Sequence, residues 1–229
     1  YMKYAKYKKE ITRIKINYGG RGMIWRYFTT TLFISLLSNA SFADSHLKPD
    51  VKTEFLEAVK SVEKKDYSKA FEIFSNLSDL GYPEAQYNVS VLYLNGLGSP
   101  KNYRLALYWS WQAYLNEHKN AMDRVTSIID LTNDDLRNSV AQQIIDELIV
   151  DANVGNMQSP LKLGKTFLEL FVEPDLTSAY LWLSISQAYG DESASDLLKN
   201  TADQLTMEEI LVQQEEALKT FNDIIDKKN

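Results

Sequence analysis

Three kinds of residue in this chain could do chemistry: two histidines, several paired carboxylates and a Gly-Leu-Gly turn. The histidines, His46 and His118, are separated by 71 residues and share no ligand spacing with a third group. No cysteine is present, so a thiolate nucleophile is excluded. No HExxH segment or Ser-His-Asp arrangement can be read from the order of residues. The acid pairs Asp134–Asp135, Glu208–Glu209 and Glu215–Glu216 fall at expected helix starts and on polar helix faces. General acid–base work would need such a pair to face a pocket. A phosphate-cradling glycine loop follows a strand and opens a helix. Gly96-Leu97-Gly98 instead follows a helical stretch and joins it to another, where glycine supplies the positive φ of a helix end. The chain therefore reads as non-enzymatic, with no cofactor and no metal expected.

The residues left with a possible function are apolar and aromatic, and their spacing is helical. Residues 83–95 carry two opposed apolar stripes. Ala85, Val89, Leu92 and Tyr93 form one; Tyr87, Val91 and Leu94 form the other. A surface helix needs only one such stripe. The second is either covered by neighbouring elements of the same chain or offered to a partner.

Larger elements must position these stripes. Of 229 residues, 45% are hydrophobic and 24% charged, an ordinary composition for a globular protein. The N-terminal part stands apart. From Met23 the chain reads MIWRYFTTTLFISLLSNASFA, with an apolar run from Phe28 to Leu37 and small residues at Ser41 and Ala43. This is the layout of a secretory signal peptide cleaved after Ala43. The run is shorter than the ~20 apolar residues of a membrane span. Residues 1–22 hold seven Lys/Arg and one acid and precede that start, so they are expected to be an over-extended, disordered leader. The expectation is thus a leader at 1–22, a signal peptide at 23–43 and a mature domain at 44–229 in the periplasm or outside the cell. Removing residues 1–43 takes away eight Lys/Arg and one Glu, leaving 17 basic and 30 acidic residues, a net charge of −13. Such a charge disfavours nucleic acid and anionic membrane surfaces.

Strand signals are nearly absent, and apolar residues recur at three and four throughout the mature chain. A period also emerges. Gly81, Glu117, Gly155 and Gly190 are each followed four residues later by Ala85, Ala121, Ser159 and Ala194, at intervals of 36, 38 and 35. Asp66, Asn102 and Asp175 are each followed four residues later by alanine and seven residues later by a large apolar residue. Asp and Asn are good N-caps. These marks predict helical hairpins of about 36 residues: 51–64 with 67–79, 83–95 with 103–116, 119–130 with 133–152, and 158–170 with 176–189. Residues 192–226 are expected to form a closing hairpin. Thr132 with Asp135, and Thr206 with Glu209, fit capping-box spacing.

The segment AQYNVSVLYLNGLGSPKNYRLALYW resembles the Sel-one-like repeat, a short relative of the tetratricopeptide repeat. Ala85, Gln86, Tyr93, Gly96, Gly98, Ala106 and Trp109 match that repeat's pattern. Leu163, Gly164, Phe167, Asp175, Ala179 and Trp182 match it again in the fourth unit, and the helix at 67–79 matches it in the first. The resemblance implies an all-α fold, an α/α solenoid of about four hairpins plus the closing one. It also implies a role in binding a protein or peptide on the concave face lined by the first helix of each hairpin. On that face it would place Tyr87, Val91 and Leu94, with Leu161, Lys165 and Leu168 as their equivalents. The acidic chain favours a basic or neutral partner. Trp111 and Tyr114 exceed the repeat pattern, since Ser184 and Gln187 stand at the matching places. They are either an interface anchor or packing against the long helix of the third unit. Other readings that the resemblance admits are an envelope hydrolase linked to β-lactam or cell-wall metabolism and a structural homo-oligomeric subunit.

Overall fold

A computed structural model describes residues 49–228; the leader, the signal-peptide segment and His46 lie outside the described residues. All regular structure in that range is helical. The helices are α1 (Pro49–Glu63), α2 (Tyr67–Asp79), α3 (Pro83–Asn95), α4 (Tyr103–Leu115), α5 (Ala121–Ile129), α6 (Asp134–Asn153), α7 (Ser159–Glu169), α8 (Leu176–Ala188), α9 (Ala194–Ala202) and α10 (Met207–Lys228). None of them is long and apolar enough to cross a membrane. Their order and their packing on successive neighbours make a solenoid-like fold, as expected.

The helix starts follow from local chemistry. Asp66, Asn102 and Asp175 each accept the backbone N–H of the residue three positions on, at 3.3, 3.1 and 3.0 Å. They begin α2, α4 and α8, the second helix of their hairpins. Thr206 and Glu209 form the reciprocal capping box: Thr206 N–H donates to the Glu209 carboxylate at 2.8 Å, and Glu209 N–H donates to the Thr206 hydroxyl at 3.2 Å. At α6 the cap falls one residue later than the box spacing indicates. Asn133, not Thr132, accepts Leu136 N–H at 2.9 Å, while the Thr132 hydroxyl donates back to Ile129 O at 3.3 Å.

The first helix of a hairpin starts differently. After three of the four repeat anchors the next residue accepts a backbone N–H two positions on, whereas Tyr82 after Gly81 makes no such bond. His118 Nδ1 accepts from Asn120, Asn156 Oδ1 from Gln158 and Asp191 Oδ1 from Ser193, at 3.3, 3.1 and 3.0 Å. The anchors themselves share one backbone state. Gly81, Gly155 and Gly190 have φ of 86°, 84° and 86°, and Glu117 is forced to 68°. The degenerate third repeat thus keeps the turn but has lost its glycine. A side chain in the left-handed region costs roughly 1–2 kcal/mol. Glu117→Gly is therefore expected to stabilise the fold by about 1 kcal/mol, raising the thermal midpoint by roughly 2–4 °C. A calorimetric midpoint that stays or falls would contradict this.

Two of the five expected hairpins do not close. Helices α1 and α2, α3 and α4, and α7 and α8 pack closely on each other. By contrast, α5 and α6 make little backbone contact, and α6 lies on α4 and α7. Likewise α10 lies on α8 more than on α9. The cause is visible in α5, which has nine residues and a single buried stripe, Ala121, Val125 and Ile128. Beyond that stripe only Met122 and Ile129 add partly buried apolar surface to the core. The main core accordingly runs through α4, α6, α7 and α8, centred on Trp111, Ile144, Leu163 and Trp182.

Candidate binding surface

Helix α3 answers the question its two stripes raise. Every residue from Ala85 to Leu92 is buried. Val91 is fully buried and Tyr87 is only 4% exposed. The Tyr87 ring stacks on His118 with centroids 4.2 Å apart. Arg124 of α5 lies 5.4 Å above the same ring and donates from Nη2 to the Tyr87 hydroxyl at 3.1 Å. The chain itself therefore covers Tyr87 and Val91, and both leave the set of surface contacts. Leu94 is partly buried and packs against the core. Sequence reading could not supply this cover, because Arg124 and His118 lie 37 and 31 residues downstream and become neighbours only through folding.

His118 is itself 7% exposed. Burial, helped by the Lys119 charge, lowers its pKa to about 4. At neutral pH it is an uncharged stacking partner whose Nδ1 accepts the Asn120 N–H in the turn before α5. Among the described residues no three His, Asp or Glu side chains gather as a metal centre would need.

The two surplus aromatics of α4 also turn inward, into a core shared with α6, and their hydrogen bonds go to α7. Trp111 is fully buried and donates from Nε1 to the Thr166 hydroxyl of α7 at 3.0 Å. Tyr114 is half-buried and donates to the Glu169 carboxylate, also on α7, at 2.7 Å. The hydrogen bonds to α6 come from Tyr108, whose hydroxyl donates to Glu147 at 2.7 Å, and from Arg104, which donates to the Ser139 hydroxyl at 2.6 Å. Trp111 is thus a core residue rather than a surface anchor. Burial raises the Glu169 pKa, while the Tyr114 hydrogen bond and the nearby Lys165 charge oppose that shift.

The corresponding face of α7 remains accessible. Leu161, Lys165 and Leu168 are each partly buried, as Leu94 is on α3, and none is sealed as Tyr87 and Val91 are. Lys165 Nζ sits 5.7 Å above the Tyr114 ring. Leu161 and Lys165 border a cleft of about 410 Å³ at the edge where the inter-repeat turns meet. Its other walls include Pro83, Asn116, Lys162 and Asp191. A polar relay forms the floor. Gln86 Nε2 donates to Ser78 O at 3.3 Å, and Asn116 Nδ2 donates to Gln86 Oε1 at 2.9 Å. Lys162 Nζ donates to Asn116 Oδ1 at 2.7 Å. Burial lowers the Lys162 pKa; the charges of Asp151 and Glu117 counteract it in part. The relay joins the first helices of the second and fourth units through the turn that follows α4.

Comparison with known proteins agrees with this architecture. A family model, the Sel1 repeat, matches residues 60–82 and 83–116. No curated protein matches the chain. The second matched stretch spans α3 to the turn after α4, with the Gly96 and Gly98 turn and the Asn102 cap inside it. Sel1 repeats are generally protein–protein interaction modules. Residues 60–116 match two Sel1 repeats, and the all-helical fold is consistent with a Sel1-like repeat protein.

Proposed function

We propose that this chain is an exported interaction module that holds a protein or peptide on the α7 face and the adjoining cleft. The observation that carries the reading is the contrast between two equivalent helices. On α3 the chain seals its own contact stripe with His118 and Arg124. On α7 the stripe of Leu161, Lys165 and Leu168 is only partly buried, and Leu161 and Lys165 border a cleft. Leu161 and Leu168 offer apolar area for burial. Lys162 and Lys165 suit carbonyl or carboxylate oxygens of a bound chain. The acidity of the mature domain favours a partner of net positive charge, drawn in by long-range steering. Export rests on the segment at 23–43, with its apolar run and its Ser41 and Ala43 cleavage pair.

A photo-crosslinking group at position 161 of the envelope-located protein tests this. It should trap one defined partner, while the same group at Glu72, on the outer side of α2, should not. Lys165→Glu should weaken that crosslink about tenfold, the loss of one charge-assisted contact. Equal labelling from both positions, or a chain that retains residues 1–43 in the cytoplasm, would overturn the reading.

A further inference from the structure

Half of the large apolar side chains that stand exposed among the described residues lie on α10. Met207, Leu211, Val212 and Leu218 are 68, 54, 52 and 64% exposed. At 100° per residue, Met207, Leu211 and Leu218 fall within about 40° of one another, while Val212 lies at least 100° away from them. The spacing of four and then seven residues is that of one position of a heptad repeat, whose alternate positions, Gln214 and Phe221, turn towards α8 and leave a narrow edge for one partner helix. The inner face of the same helix is already engaged. Ala217 and Ile224 are buried, Phe221 packs on Tyr189 at 5.2 Å, and Gln214 donates to the Tyr180 hydroxyl at 3.1 Å. As the last helix against α8, α10 stands where the next repeat of a solenoid would begin.

Charge indicates what covers it. The first half of α10, residues 207–217, carries Glu208, Glu209, Glu215 and Glu216 and no basic residue. The second half, 218–228, carries three lysines and two aspartates. A parallel pair of such helices would set four glutamates against four. An antiparallel pair sets each acidic half against a half of net positive charge. Leu211 and Ile225 lie seven residues either side of Leu218, so a two-fold axis at Leu218 sets Leu211 of one helix against Ile225 of the other and leaves Met207 outside the paired set. It also brings Glu215 of one helix towards Lys219 of the other. We propose that α10 pairs antiparallel with α10 of a second copy of this chain, in a dimer with its axis at Leu218. A single helix seam is small beside the roughly 1,200–2,000 Å² of a stable interface, so the association belongs to the micromolar range.

The absence of cysteine makes the test clean. In light scattering, the full chain at rising micromolar concentration should approach twice its monomer mass. Leu211→Lys with Leu218→Lys should return the monomer mass while helical circular dichroism is unchanged. Under oxidation, Leu218→Cys should form a disulfide-linked dimer. Met207→Cys should not, because antiparallel pairing leaves the two positions about 33 Å apart. Crosslinking at both positions would overturn the antiparallel arrangement. A chain that stays monomeric would overturn the dimer, and so would a Leu218→Cys thiol shielded from maleimide in the monomer, which would make the chain's own N-terminal segment the occupant.

Discussion

Gly98→Ala is expected to destabilise the fold by about 3 kcal/mol, while Gly81→Ala costs about 1 kcal/mol. Both glycines have positive φ, 74° and 86°, so both substitutions carry the same left-handed strain. Their surroundings differ. A Cβ at Gly81 would meet nothing within 4 Å, whereas one at Gly98 would stand 2.2 Å from the carbonyl oxygen of Tyr67 and 2.7 Å from Phe71 Cβ. The obstacle is backbone at the first turn of α2, which cannot swing aside as a side-chain tip could. The α3–α4 turn would have to lift off α2. It is held by Asn102 N–H donating to Tyr93 O at 3.0 Å, so lifting it also strains the start of α4. At this chain length the difference of about 2 kcal/mol corresponds to roughly 4–8 °C in the thermal midpoint. Calorimetry of the two variants side by side isolates the clash from the strain. Equal midpoints would show that the close approach does not constrain the turn.

Sequence disclosed the helices well because their signals are local. The expected bounds of α3, 83–95, are those observed, and the other bounds fall within about two residues. Asp66, Asn102 and Asp175 cap as their residue types indicate, and the anchor period locates the left-handed turns even at Glu117. What sequence left open was which stripe meets which. Tyr87 is closed off by residues of the following turn and helix, and Trp111 finds Thr166 at a separation of 55 residues. Neither pairing has a period. A further local signal is the polar residue after the anchor, seen at His118, Asn156 and Asp191, which closes the turn just before the first helix of the next unit. Had it been read, His118 would have been a structural residue from the start. The open third hairpin was also partly readable, since AMDRVTSII is short and carries a single main apolar stripe.

That open hairpin governs the second large effect. In an ordinary solenoid each unit touches only its neighbours, and stability is a sum of local terms. Here α4 of the second unit reaches α7 of the fourth directly, through Trp111 with Thr166 and Tyr114 with Glu169. Trp111 is among the largest fully buried side chains, and its indole N–H would be left without a partner at any other place in this apolar core. Trp111→Ala should therefore cost about 3–5 kcal/mol, through lost burial and the cavity left behind. Trp111→Phe keeps most of the volume but loses the donor, and should cost about 1–2 kcal/mol. Thr166→Val removes the acceptor, together with the hydroxyl's own bond to Lys162 O at 2.8 Å. If the tie is a specific hydrogen bond, the double variant Trp111→Phe with Thr166→Val should cost about 1 kcal/mol less than the two single changes added. The shape of the transition carries further information. With the tie intact, the first and second halves of the solenoid should melt together. In Trp111→Ala, the N-terminal hairpins and the α6–α8 core should separate into two steps, read as tyrosine fluorescence and far-ultraviolet circular dichroism that no longer coincide. A Trp111→Ala protein that still melts in one coincident step would show that the cooperative link runs through α6, and that the α4–α7 contact fills space without coupling the units.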